Sequence, residues 1–310
     1  MTFLPAYVQL YEADQLKERV ATGYEMLEEC KLCARKCGVN RSQDERGFCR
    51  AGGRAMISSA GPHFGEEPPL VGRYGSGTIF LTNCNLGCVF CQNYDISQLG
   101  HGREVELDEL ANAMLALQKM GCHNINFVTP THYIPQILAS LLIAVEKGLR
   151  VPLVHNCGGY ESIEALKLLD GVFDIYMPDI KYGDNDMGEK YSRAPKYFDA
   201  ATAAVSEMHR QVGDLSINSE GVAERGLLIR HLVLPGDLAG TAKVLEYISS
   251  LSKNSYVNIM NQYRPGYKAS NYPELGRRIS SKEFMDAILY AEQAGLRRGF
   301  PHDPRKRFWI

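Results

Sequence analysis

The chain has 310 residues, 45% hydrophobic and 23% charged, enough for one large α/β domain with an appendage or for two domains. Its formal charge of −2 lacks the basic excess of a general nucleic-acid binder. No run of 18 apolar residues suggests a membrane span, and the first residues lack the basic-then-apolar pattern of a signal peptide. Nine cysteines then favour metal ligation over disulfides, in a reducing and hence cytoplasmic compartment.

In chain order, residues 1–29 are expected to be helical, with Leu16, Val20 and Leu27 on one apolar face. Cys30, Cys33 and Cys37 follow, and Cys49 comes after a polar, turn-rich loop. Four thiols within twenty residues make a complete tetrahedral set, either structural zinc or an auxiliary iron–sulfur cluster. Residues 61–77 are Gly- and Pro-rich and read as a connection, where His63, Glu66 and Glu67 are either solvated or line a pocket. Ile79 to Leu81 is an apolar, β-branched strand signal that leads into Cys84, Cys88 and Cys91, spaced C-x3-C-x2-C. Three thiolates on one loop suit three irons of a [4Fe–4S] cluster and leave the fourth iron open; a zinc or disulfide site is the plainer alternative.

From residue 78 onward, strand and helix signals alternate. Strands are expected at 78–81, 124–129, 151–156, 173–179, 227–234 and 256–260. Helices are expected at 107–121, 133–147, 161–169, 238–251 and 281–294, with a helical and loop-rich stretch at 185–215. Six such strands imply a parallel sheet with right-handed crossovers, and a partial (β/α)6 barrel fits. Chemistry in such barrels sits at the carboxyl ends of the strands. The expected division is 1–71, an N-terminal helix with a four-cysteine extension, and 72–310, the barrel domain.

The cysteine loop, with the aromatic Phe90 before its last cysteine, resembles the signature of the radical S-adenosylmethionine (SAM) superfamily. The strand ends resemble pyruvate formate-lyase activating enzyme and its uncharacterised homologues. The resemblance covers roughly residues 72–268. It implies the radical SAM barrel, a cluster on Cys84, Cys88 and Cys91, and SAM chelated to the open iron and cleaved to a 5′-deoxyadenosyl radical. Cys91-Gln-Asn93 is similar to the family's Cys-His-Asn. Asp179-Ile-Lys181 is similar to its Asp-x-Lys at SAM, and Ile229-Arg-His231 to a strand whose histidine lies at SAM. Asn156-Cys-Gly-Gly159 stands where the family has Thr-Asn-Gly beside the ribose. Gly-Gly-Glu, which holds the SAM ammonium in the family, is replaced here by Val128-Thr-Pro-Thr-His-Tyr133, leaving Thr129, Thr131 or His132 as acceptors.

The implied reaction is hydrogen abstraction from a glycine of a partner enzyme. Two alternatives stand. One is the same radical acting on a small molecule or peptide, with Cys157 as a hydrogen donor or simply a buried thiol. The other is an iron–sulfur electron carrier without SAM. Expected partners are a reductant such as flavodoxin or ferredoxin and a substrate that is either a protein or a small molecule. Arg297, Arg298, Arg305, Lys306 and Arg307 near Trp309 form a basic tail, either solvated or anion-binding.

Overall fold

The computed structural model describes residues 3–301. Nine strands form one sheet: β1 (Ala55–His63), β2 (Ser76–Leu81), β3 (Arg103–Val105), β4 (Ile125–Val128), β5 (Leu153–Cys157), β6 (Ile175–Pro178), β7 (Ser216–Ile217), β8 (Ala223–Leu232) and β9 (Tyr256–Met260). The six expected strands are β2, β4, β5, β6, β8 and β9, and each pairs in parallel with its neighbour in that order. Between them run α5 (Leu107–Lys119), α6 (Ile134–Glu146), α7 (Ile163–Leu168), α8 (Asn185–Ser192), α9 (Tyr197–Val212) and α10 (Thr241–Leu251), and α11 (Ser281–Gln293) closes the series. The mixed α/β architecture is a partial barrel, as the alternation implies.

Side chains alternate across each strand. Val154, Ile175, Met177 and Leu228 point to one face and pack with Leu70 in the barrel interior. Ile79, Phe127, Tyr176 and Ile229 point to the other face and join the cluster formed with the helices. This parity decides which strand-end residues meet over the barrel mouth.

Three strands lay beyond the sequence signals. β1 pairs antiparallel with β2 and with β3, so the Gly-Pro stretch opens inside a strand. Its Ser-Ser-Ala-Gly-Pro core has neither alternation nor β-branching, and pairing with β2 supplies what propensity lacks. β7 spans two residues beside β8. The N-terminal helix divides into α1 (Ala6–Glu12) and α2 (Gln15–Glu25) at Asp14, whose φ is +58°. Two one-turn helices, α3 (Pro68–Val71) and α4 (Tyr94–Ser97), flank β2 and its loop. Arg297 and Arg298 donate to backbone carbonyls of Glu292, Leu296, Asn254 and Leu215. Arg305, Lys306, Arg307 and Trp309 lie outside the described residues. No helix among the described residues is long and apolar enough to cross a membrane.

Candidate active site

The loop after β2 turns at Asn83, whose φ is +66° and whose amide donates to the Tyr133 hydroxyl at 3.2 Å. It brings Cys84, Cys88 and Cys91 to one cavity of about 160 Å³. Each sulfur has a local partner. The Leu86 N–H donates to Cys84 Sγ at 3.3 Å, Ser192 Oγ is 2.9 Å from Cys88 Sγ, and Ser97 Oγ is 3.1 Å from Cys91 Sγ. Burial pushes the Cys88 thiol up to about 11, against the pull of Lys181, and raises Cys84 further. Buried thiolates are costly without a cation beside them. Three soft donors around an open cavity therefore fit a cluster with one free iron, and hydrogen bonds to the sulfurs tune such a cluster.

Asn93, Thr129, Asn156, Cys157, Asp179, Lys181 and Arg230 line the same cavity. Arg230 is its electrostatic hinge. Its Nε donates to Asp179 Oδ1 at 2.7 Å and its Nη2 to Asn156 Oδ1 at 2.7 Å. Lys181 Nζ donates to Asp179 Oδ2. From inside the barrel, Glu67 stands 3.8 Å from Arg230 Nη1 and accepts from Asn258 at 3.0 Å. Burial alone would raise the Asp179 carboxyl; Arg230 and Lys181 overrule it and hold the group below the ordinary carboxylate range. Two cations and two carboxylates leave the network neutral, with Asn156, Asp179 and Lys181 still facing the cavity. Thr129 donates its N–H to the Asn156 carbonyl at 2.8 Å with a φ of +61°, an uncommon conformation for a β-branched residue.

Four sequence candidates are not among the cavity-lining residues. Thr131 donates to Glu161 Oε1 at 2.8 Å. His132 bonds the Thr82 carbonyl at 2.8 Å, and burial pushes it down to about 3. Phe90 packs edge-on against Tyr182 and Tyr263 behind the loop. His231 is held between the Ile180 carbonyl, 2.7 Å away, and Thr241 Oγ1, 3.0 Å away. Parity explains the last: β8 turns Arg230 inward and His231 outward. Arg230 is the residue that reading by motif passed over, and the two-residue strand period was the signal that would have found it.

Cys30, Cys33 and Cys49 are buried and Cys37 is exposed. Backbone bonds from Cys30 N to Val39 O and from Gly38 N to Cys30 O fold their loop back on itself. Burial pushes the Cys33 thiol up to about 12. Arg41 is fully buried nearby. It donates to the Gly52 carbonyl, its Nη1 has no partner, and it draws the Cys49 thiol down against the effect of burial. No carboxylate among the described residues pairs with this guanidinium. An anionic thiolate–metal centre would supply the missing counter-charge.

A parallel barrel whose first strand ends in three cysteines above a charged, partly open cavity defines an iron–sulfur enzyme rather than a closed metal module. Residues 78–222 match the family model described as "Radical SAM superfamily". The chain is 36% identical over 287 residues to "Uncharacterized protein MJ0674" of Methanocaldococcus jannaschii, which spans 90% of this chain and 78% of the relative. It is 29% identical over 199 residues to "Uncharacterized protein MJ0808" of the same organism, 57% of each chain. The crystal structure of HydG, a maturase of the [FeFe]-hydrogenase, superposes with a TM-score of 0.51 at 14% identity, over 74% of this chain and 53% of that one; this is a likeness of fold. The chain belongs to the radical SAM superfamily. Membership carries a [4Fe–4S] cluster, SAM, a reductant and SAM cleavage by a radical mechanism, which sets aside a plain electron carrier.

Proposed function

We propose that Cys84, Cys88 and Cys91 hold the cluster, that SAM occupies the cavity beside them, and that the substrate carries an anionic group. When bound, the cluster and SAM would supply the radical chemistry by which a hydrogen atom is taken from the substrate. The chain's own contribution is positional. Asn156 and Asp179 offer acceptors toward the cavity, and Lys181 offers a cation beside Cys88. Arg230 fixes Asp179 and Asn156 in place, so their orientation costs nothing when the ligand arrives. Thr129 closes the wall where the family's carboxylate is missing.

The observation that carries the substrate reading is a second cavity of about 270 Å³ that shares Cys84, Ser97 and Gln98 with the first. Arg50, Arg193 and Lys268 line it, together with Phe48 and Tyr267, and Tyr267 stacks on Tyr94 at 5.0 Å. Three cations and an aromatic platform at the cluster loop suit a compact substrate with a carboxylate or phosphate. Glycyl-radical activation, which the motif likeness implies, is the same hydrogen transfer from a partner's backbone; the small, cationic pocket favours the compact substrate.

The test uses anaerobic, dithionite-reduced protein with panels of carboxylate and phosphate metabolites. A substrate should stimulate 5′-deoxyadenosine formation. Arg193→Gln and Lys268→Gln should lower that stimulation about tenfold and spare the slow uncoupled cleavage. Equal stimulation in the variants overturns the substrate assignment, and no 5′-deoxyadenosine under any condition overturns the catalytic one.

Iron–sulfur ligation by the N-terminal set is a further proposal, with zinc as its rival. Either metal accounts for the buried Arg41. Iron and zinc analysis of the Cys84→Ala, Cys88→Ala, Cys91→Ala triple variant separates them.

A further inference from the structure

His155 and Cys157 stand two residues apart on β5 and share the face of the strand opposite to that of Asn156. Glu161 follows in the turn before α7, where its backbone bridges to Cys33. One nitrogen of His155, the Cys157 sulfur and one oxygen of Glu161 all lie within 4.8 Å of one another, and all three residues are buried. His155 Nε2 is 3.5 Å from Glu161 Oε2. Neither His155 nitrogen has a hydrogen-bond partner, and neither does Glu161 Oε2. His155 is 0% exposed and Glu161 2%.

Orphaned polar atoms at such depth are rare and costly. Here a ring nitrogen, a thiol sulfur and a carboxylate oxygen lie within 4.8 Å of one another, and the nitrogen and the oxygen lack any hydrogen-bond partner. A divalent ion would partner one His155 nitrogen and Glu161 Oε2 together with the Cys157 sulfur. Zinc–nitrogen and zinc–oxygen bonds near 2.1 Å set two tetrahedral ligands about 3.4 Å apart. The nitrogen–oxygen separation matches. Imidazole, thiolate and carboxylate together select zinc or a similar borderline ion over magnesium or calcium. The surroundings are those of a supported ligand set. Thr131 donates to the other oxygen of Glu161 at 2.8 Å, and Phe173 and Tyr176 pack edge-on against the His155 ring, which fixes both ligands in direction. Cys157 also touches the rim of the cavity, which gives an ion a way in.

The geometry points to a mononuclear, zinc-type site on His155, Cys157 and Glu161, separate from both cysteine loops. It ties the end of β5 to the start of α7 and, through the Cys33–Glu161 bridge, to the N-terminal loop. Ligation keeps Cys157 as a thiolate, which removes it as a source of hydrogen atoms for a substrate radical.

The test is cobalt(II) titration of anaerobic protein already reconstituted with iron and sulfide. Wild type should take one further equivalent with tetrahedral d–d bands and a thiolate-to-cobalt charge-transfer band. His155→Gln and the near-isosteric Glu161→Gln should lose that equivalent, and Cys157→Ser should lose the charge-transfer band. Cys33→Ala should keep both signals. If His155→Gln does not fold, Glu161→Gln still decides. Bands that persist in Glu161→Gln, or a wild type that takes up no cobalt, overturn the site and leave an internal hydrogen bond only. Because 5′-deoxyadenosine is not the readout, the catalytic assignment stands or falls separately.

Discussion

Cys84, Cys88 and Cys91 stand at the rim of a cavity, facing Asp179, Lys181 and Arg230. Cys30, Cys33, Cys37 and Cys49 instead surround a loop beside the buried Arg41, three of them buried themselves. On the proposed assignments, the first loop would bring three ligands and leave room for another molecule, and the second would be a complete set of four. On those assignments, the same residue type would serve an exchangeable ligand in one setting and cohesion in the other, with coordination number and neighbouring charge making the difference.

The largest expected effect breaks the first side alone. Cys88→Ala should lower 5′-deoxyadenosine formation by at least about a hundredfold, with loss of the three-cysteine loop's share of the iron–sulfur absorbance, while the melting temperature stays close to wild type. A collapse of stability in that variant would erase the contrast between the loops.

Cys33→Ala should do the reverse. Losing a structural metal removes folding free energy directly. A drop in melting temperature on the order of 5–10 °C is expected, with retained absorbance from the three-cysteine loop. Unaltered metal content would show that these thiols are not ligands. Arg41→Met sharpens this side. It should weaken metal retention and destabilise the loaded protein by about 1–3 kcal/mol, yet leave the metal-free protein no less stable, since an uncompensated buried cation is gone. Calorimetry of both forms checks the change of sign.

Arg230→Gln should lower SAM affinity about tenfold by freeing Asp179 and Asn156. It also has a pH signature. Asp179 is held below its unfolded value in the native state, so its contribution is present above the ordinary carboxylate range and is lost as pH falls through its folded value. The stability gap between wild type and variant should be widest near neutral pH and close below about pH 4. A gap independent of pH would remove Arg230 as the cause.

The smallest effect concerns the wall of the open site. Thr129→Gly relieves a positive φ, so stability should hold or rise by about 1 kcal/mol, while SAM affinity falls a few-fold. Higher affinity in the variant would show that the threonine contributes only strain.

Much of this was legible beforehand, and the failures have physical causes. All six parallel strands followed from buried apolar runs between helical stripes, because strands covered on both faces carry continuous hydrophobic signals. β1 did not, since its Ser-Ser-Ala-Gly-Pro stretch is held by pairing and not by propensity. The cysteine loops announced themselves through spacing. Strand-end roles were harder. Motif likeness pointed to His231, whereas side-chain parity turns Arg230 toward the cavity; of the three acceptors expected after β4, Thr129 lines the cavity, at a positive φ, while partners distant in the chain hold Thr131 and His132 elsewhere. Glu67 was recognised only as a pocket candidate, because nothing local reveals that it reaches a strand 191 residues later.

That reach has a consequence for how the protein is made. Synthesis delivers the two cysteine loops first, within residues 30–91, and Arg230 and Asn258 last. Thiols are therefore available to metal before the strands that complete the charge network have left the ribosome, and distant pairings are the slow ones to close. The cofactor side of the cavity is finished only when β8 and β9 dock onto a chain segment made long before. On the proposed assignments, a nascent chain would present its metal ligands well before the barrel that would hold SAM is complete.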